Sequence, residues 1–195
     1  MIIYYDLETT GLNQFHDRIT EFCFIKEKTG YNTYSQLINP EKNISTYITK
    51  ITGISNDMVV NQPTFKIISQ NIIQFITERN GETSYLIAHN NDGFDRLLLK
   101  EHLKKINIRI EDLNIKFIDT LLFAKKLFPN FFKFSLTTLC DKLGIQKEEA
   151  HRATGDTLML QRLYHKLCEE LGKRKNVNTI DIIKNPEYII EYIYG

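Results

Sequence analysis

The sequence predicts an α/β fold with a mixed five-stranded sheet, led by three antiparallel strands and flanked by helices on both faces. Two observations carry this expectation. Three strand-like segments lie within the first 38 residues, before any helical pattern. From residue 63 onward, helical and strand patterns alternate.

The elements follow in order. Residues 2–7 form an apolar run that reads as a buried strand and carries acids at its end. Residues 18–26 and 31–38 read as two more strands, joined around Lys28-Thr29-Gly30, a hairpin signal, and Asn39-Pro40 closes this meander. Phe65, Ile68, Ile72, Phe75 and Ile76 recur at helical spacing, so Pro63 opens a helix and Asn80-Gly81 ends it. A short strand over 85–88, a helix over 94–103, a strand over 115–118 and a helix over 121–127 come next. Phe131, Phe132 and Phe134 fall in a loop after Pro129. Ser135 caps a helix over 136–143, which Gly144 ends. The last long helix runs from about 155 to 171. Lys173-Arg174-Lys175 then opens a polar break, dividing the chain into a domain of residues 1–172 and a C-terminal extension, 173–195.

At 195 residues the chain suits one domain with an extension. A formal charge of +1 supplies no overall field to attract nucleic acid, so any such binding rests on a local patch. Lys104-Lys105, Lys125-Lys126, Lys133 and the basic run at 173–175 offer such cations, although each reads first as a solvated face. Cys23, Cys140 and Cys168 form no C-x-x-C pair, which suggests free thiols in a reducing compartment rather than a disulfide or zinc framework. His165 and Cys168 lie one helical turn apart, but without a second pair they read as helix residues. The first residues are a strand running into acids rather than a signal peptide, and no apolar run is long enough to span a bilayer. The expected setting is therefore intracellular, cytoplasmic or nuclear, not secreted and without a membrane.

The acids point to chemistry. Asp6 and Glu8 stand at i and i+2 of a strand, so they share one face while Leu7 takes the other. Two neighbouring carboxylates repel, and a divalent cation that prefers oxygen neutralises them. Asp95 lies in the first turn of a helix whose inward stripe continues through Leu98, Leu99 and His102. A first-turn acid complements the helix dipole, but an acid on an apolar stripe is unusual. Asp156 repeats the anomaly at the start of the last helix, whose stripe continues through Leu160, Leu163, Tyr164, Leu167 and Leu171. Together with the two-acid strand, these read as one constellation. His151, five residues before Asp156, has the near-neutral titration that suits a mobile base. His102 and His165 read as helix surface or core, and His89 as a support for the turn before Asp95. Asp119, at a strand end before Thr120, reads as a helix cap rather than a catalytic acid.

Taken together, Asp6-x-Glu8, Asp95 and His151-x4-Asp156 resemble the DEDDh, or DnaQ-like, 3′–5′ exonuclease family. The run from Asp6 through Leu7, Glu8, Thr9, Thr10 and Gly11 to Leu12 matches that family's first motif, and Ile51-Thr52-Gly53-Ile54-Ser55 matches a stretch common between its first and second motifs. The spacings His89-Asn90-x3-Phe94-Asp95 and His151-x-Ala153-x-Gly155-Asp156 look most like the three-prime repair exonuclease (TREX) branch. The resemblance covers roughly residues 1–171 and does not extend to the tail beyond them, and the proline-rich loop and long membrane tail of parts of that branch are not seen.

The resemblance implies a ribonuclease-H-like exonuclease fold and two-metal phosphodiester hydrolysis with Mg²⁺ or Mn²⁺. It assigns Asp6 to both ions, Glu8 and Asp156 to one, Asp95 to the other, and the role of general base to His151. It brings Thr9, Thr10, Gly11 and Leu12 to the terminal nucleotide, with Leu12 wedged against a base, while Ile54 and Phe94 either line that pocket or pack in the core. The implied partner is the 3′ end of single-stranded or frayed DNA, favoured over RNA, with nucleoside 5′-monophosphates as products. An RNA exonuclease of the same fold, a polymerase proofreading subunit and a catalytically dead binding module are the rival readings, and a homodimer stays open. Retention of all five residues opposes the dead module.

Overall fold

The central strand, β1 (Ile2–Thr9), has two different faces. Ile3, Tyr5 and Leu7 point into one apolar core, whereas Tyr4 points into another, and Asp6 and Glu8 follow Tyr4 by alternation. The computed structural model describes residues 1–27, 32–77, 80–148 and 152–195. The hairpin signal at Lys28-Thr29-Gly30 lies outside the described residues.

β2 (Ile19–Lys26) pairs antiparallel with β1, and β3 (Asn32–Leu37) antiparallel with β2. β4 (Ser84–Ala88) pairs parallel with β1, and β5 (Ile115–Asp119) parallel with β4. The order β3-β2-β1-β4-β5 is the mixed sheet expected from three leading strands followed by alternating elements. β2 is buried along almost its whole length, as a strand covered on both faces must be.

α3 (Phe65–Ile76) and α4 (Asp95–Lys104) cover the face of Ile3, Tyr5 and Leu7. α5 (Thr120–Leu127), α6 (Leu136–Leu143) and α7 (Ala153–Lys175) cover the other. Ser135 caps α6 by accepting the Thr138 N–H, and Gly144 ends it at φ 65°, a left-handed position that glycine takes without a Cβ penalty. α7 continues past residue 171 because Lys173, Arg174 and Lys175 complement the negative end of its dipole rather than breaking it.

Among the described residues, four short α-helices lie outside the expected pattern. α1 (Thr46–Thr52) and α2 (Asn56–Val59) are too short to show a hydrophobic period. α8 (Thr179–Ile183) and α9 (Pro186–Tyr194) form within residues 173–195. Ile182 and Ile189 are buried in the same core as Leu160, Leu163 and Tyr164. Among the described residues, no helix is long and apolar enough to cross a membrane. Cys23, Cys140 and Cys168 are buried free thiols.

Candidate active site

Three elements deliver four acids to one place. Asp6 and Glu8 come from β1, Asp95 from the first turn of α4 and Asp156 from the first turn of α7. Carboxylate oxygens of Asp6, Glu8 and Asp156 all lie within 4.8 Å of one another. Asp95 is 4% exposed, accepts hydrogen bonds from its own backbone N–H and that of Leu7, and lies near enough to Asp6 to raise its pKa.

The electrostatics follow from this crowding. Burial pushes the Asp6 carboxyl well above its ordinary value, and the charges of Asp95, Asp156, Glu8 and Glu21 push it further. Burial likewise raises Asp95, with Asp119 and Glu8 adding to the effect and the two backbone hydrogen bonds opposing it. Glu8 is pushed up to about 7 by burial, Asp156 and Glu21, against the opposing charge of Arg152. A half-buried group of oxygen donors that resist ionising together is a site suited to a hard divalent cation.

Asp156 is held in place by a contact that the sequence reading missed. Glu21 sits on β2 directly across from Glu8. Its carboxylate accepts two hydrogen bonds from the Arg152 guanidinium, at 3.1 and 2.6 Å, and a third from the Ala153 backbone N–H at 3.0 Å. The Asp156 N–H in turn donates to the Arg152 carbonyl at 3.0 Å. The first turn of α7 is thus bolted to the sheet beside the acids. The available signal was a glutamate in the middle of an otherwise apolar strand, Ile19-Thr20-Glu21-Phe22. His151 lies outside the described residues.

Asp95 is held by the turn that precedes it. Asp119 caps α5 by accepting the Leu121 N–H at 2.8 Å, as expected, and also accepts the N–H groups of Asn90 and Asp92 at 3.0 and 3.1 Å. The buried Asn91 amide donates to the Leu86 and Ile118 carbonyls at 3.1 and 3.0 Å and accepts from the Tyr5 hydroxyl. His89 supports the same turn: its Nδ1 lies 2.9 Å from Thr120 Oγ1, and its Nε2 donates to the Phe134 carbonyl at 2.7 Å.

The expected nucleotide contacts divide into two kinds. Thr9 and Thr10 are buried and stabilise the loop after β1, with Thr10 Oγ1 2.9 Å from Asp17 Oδ1 and Thr9 Oγ1 donating to the Gly11 carbonyl at 2.7 Å. A Cβ at Gly11 would stand 2.5 Å from Asp17 Oδ2 and would displace a carboxylate that accepts from Thr10, the Asn13 N–H and Lys42. Leu12, by contrast, is 85% exposed at the loop tip. Ile54 is fully buried with Ile44 and Val59 and offers no surface to a ligand, which favours the packing side of its two readings. Phe94 is half-buried and directly precedes Asp95.

The chain as a whole is similar to known proteins. Residues 3–164 match the RNase T family model, described as Exonuclease. The 3′-5′ exonuclease DinG of Bacillus subtilis is 30% identical over 169 residues, covering 85% of this chain and 17% of the relative. The PolC-type DNA polymerase III of the same organism is 30% identical over 174 residues, covering 88% of this chain and 12% of the relative. The chain therefore spans less than a fifth of the length of these curated relatives. A solved structure of Exonuclease X in complex with 5′ overhanging duplex DNA superposes with a TM-score of 0.67 at 26% identity, covering 88% of this chain and 93% of that one. E. coli Exonuclease I in complex with a dA16 oligonucleotide has a TM-score of 0.75 at 18% identity, covering 94% and 43%, a likeness of fold.

Proposed function

Because the chain belongs to the RNase T exonuclease family, we propose that it removes nucleotides one at a time from the 3′ end of single-stranded or frayed DNA, releasing nucleoside 5′-monophosphates. The observation that carries this reading is the ring of four acids from β1, α4 and α7, three of them with oxygens within 4.8 Å of one another. The solved complex of Exonuclease X with DNA supports the choice of substrate.

Asp6, Glu8, Asp95 and Asp156 fit two divalent cations, Mg²⁺ or Mn²⁺, which when bound supply positive charge for both the attacking and the leaving oxygen. The all-oxygen donor set suits hard cations, and their charge removes the repulsion that raises Asp6 and Glu8. His151 takes the proton from the attacking water. The phosphorus–O3′ bond breaks, the new terminal O3′ gains a proton, and the former terminal nucleotide leaves with a 5′-phosphate. Leu12 stands at the loop tip where an apolar side chain packs against the last base.

The test is a time course on 5′-labelled DNA and RNA oligomers with Mg²⁺, with Mn²⁺ and with EDTA. Stepwise shortening from the 3′ end of DNA, abolished by EDTA, is the expected result. Internal cuts, or cleavage that persists in EDTA, would overturn the reading. Faster shortening of RNA would move the substrate to RNA.

A further inference from the structure

We propose that Phe132 is a stacking platform for an unpaired base upstream of the 3′ end, with Lys133 beside it for the adjoining phosphate. This rests on the exonuclease reading above and adds a subsite to it. Phe132 is 97% exposed, the most of any large apolar side chain among the described residues.

Its place in the fold argues for a nucleic-acid partner. The parallel strands β1, β4 and β5 all end at one edge of the sheet, and open sheets of this kind bind ligands at that edge. After α5 the chain returns there, because His89, directly after β4, holds the Phe134 carbonyl at 2.7 Å. Phe132 is two residues away, at most about 7 Å of chain. The loop also lies on the same face as the acids: Phe131 and Phe134 pack against the core that contains Tyr4, and Asp6 and Glu8 follow Tyr4 by alternation along β1.

The loop presents this ring firmly. The Phe131 N–H donates to the Phe128 carbonyl at 3.0 Å, and the two rings stack at 4.9 Å with an interplanar angle of 10°. Nζ of Lys142, on α6, sits 4.1 Å from the centre of the Phe131 ring. Phe131 and Phe134 therefore anchor the loop on the core while Phe132 between them faces water. Lys133 is exposed and has no carboxylate partner among the described residues. An outward aromatic beside an unpaired cation, joined to the turn that carries Asp95, matches the stacking and charge requirements of a single strand. Every base has a π-face, so such a platform tolerates any sequence. With Leu12 on the loop after β1, the acids have an exposed apolar side chain on each of two flanking loops.

The chain contains no tryptophan, so Phe132→Trp introduces a single indole reporter. Its emission is read during titration with thymidine oligomers of increasing length, in Ca²⁺ to retain binding while limiting turnover. In parallel, KM is measured against oligomer length for wild type and Phe132→Ala in Mg²⁺. Quenching that begins beyond the dinucleotide is expected, together with a KM for an octamer raised by about 5- to 100-fold in Phe132→Ala. Cleavage without quenching, with superimposable length dependences, would overturn the platform and leave the exonuclease reading intact. Quenching without cleavage by the wild type would support the platform and overturn the nuclease. Neither quenching nor cleavage would remove both.

Discussion

The hydroxyl of Tyr194 lies 2.8 Å from Oδ2 of Asp92, joining the end of α9 to the turn that delivers Asp95. The Arg96 guanidinium holds the other oxygen of the same carboxylate at 3.2 Å. α9 lies beyond the residues that match the family model, so this contact ties the C-terminal segment to the matched part of the chain. Tyr194→Phe keeps the ring and removes the hydroxyl. Turnover is expected to fall while KM holds, since misplacing a catalytic group by ~1 Å costs up to about 10²-fold. Measuring kcat beside the melting temperature separates the two effects: a fall in melting temperature with unchanged kcat would confine Tyr194 to stability.

Asp6→Asn and Asp156→Asn are expected to abolish cleavage while the metal-free protein melts no lower than wild type. Each substitution removes one charge from a group that already resists ionising. The check is residual activity together with a thermal melt in EDTA. Near-normal turnover in either variant would remove that residue from the catalytic set.

Metal-free stability should depend on pH in a definite direction. Glu8 has a carboxyl raised from 4.5 to about 7, so the folded chain binds its proton more tightly than the unfolded chain does. That contribution is complete below the unfolded value and is lost as pH rises through about 7. In EDTA the melting temperature should fall across this window, and saturating Mg²⁺ should flatten the fall. A metal-free profile that rises through neutrality would contradict the crowded geometry.

The Glu21–Arg152 pair should show strong coupling. The Glu21 side chain is 5% exposed, whereas Arg152 is partly solvated at 41%. Arg152→Met leaves a buried carboxylate across from Glu8 and is expected to cost about 1–3 kcal/mol, below the full penalty of a buried pair because water screens the arginine. Adding Glu21→Gln should restore part of that loss. A double-mutant cycle by denaturant unfolding gives the coupling, and additive effects would show that the pair contributes little.

Leu12→Ala should leave stability almost unchanged, because its side chain is already in water. Its effect should appear on duplex ends, where the last bases must unpair at a cost of a few kcal/mol before cleavage. Wild type should cut a single strand fastest, a 3′-mismatched end next and a blunt end slowest. The variant should widen the gap between single strand and blunt end; equal slowing on all three would exclude a wedge.

Much of the site is legible in the sequence because its residues announce themselves locally. Asp6 and Glu8 stand at the end of an apolar strand, while Asp95 and Asp156 each interrupt an apolar helical stripe. Both caps, Ser135 and Asp119, follow from residue type and position. The supports are not legible in this way. Arg152 reaches Glu21 across 131 positions, and Tyr194 reaches Asp92 across 102, distances over which no spacing rule operates. The second duty of Asp119, holding the turn before Asp95, is hidden for the same reason. α1, α2 and α8 are not legible because helices of four to seven residues do not complete enough turns to display a period, and α9 is hidden by the Lys184-Asn185-Pro186 break in front of it.

The pairing of β1 also sets an order of events in folding. β1 joins β2 from Ile3 to Thr9 across a short stretch of chain, whereas its pairing with β4 spans only Ile2 to Tyr4 and waits for about 80 residues of intervening sequence to close. The β1–β2 hairpin is thus the local, early contact, and Asp6 and Glu8 enter the growing structure with no other acid yet opposite them except Glu21. Asp95 and Asp156 arrive with α4 and α7, when the sheet already exists to hold them. On this order the expected late step is the arrival of Asp95 and Asp156 beside Asp6 and Glu8. Substitutions among them should accordingly change the rate of unfolding and leave the rate of folding nearly untouched.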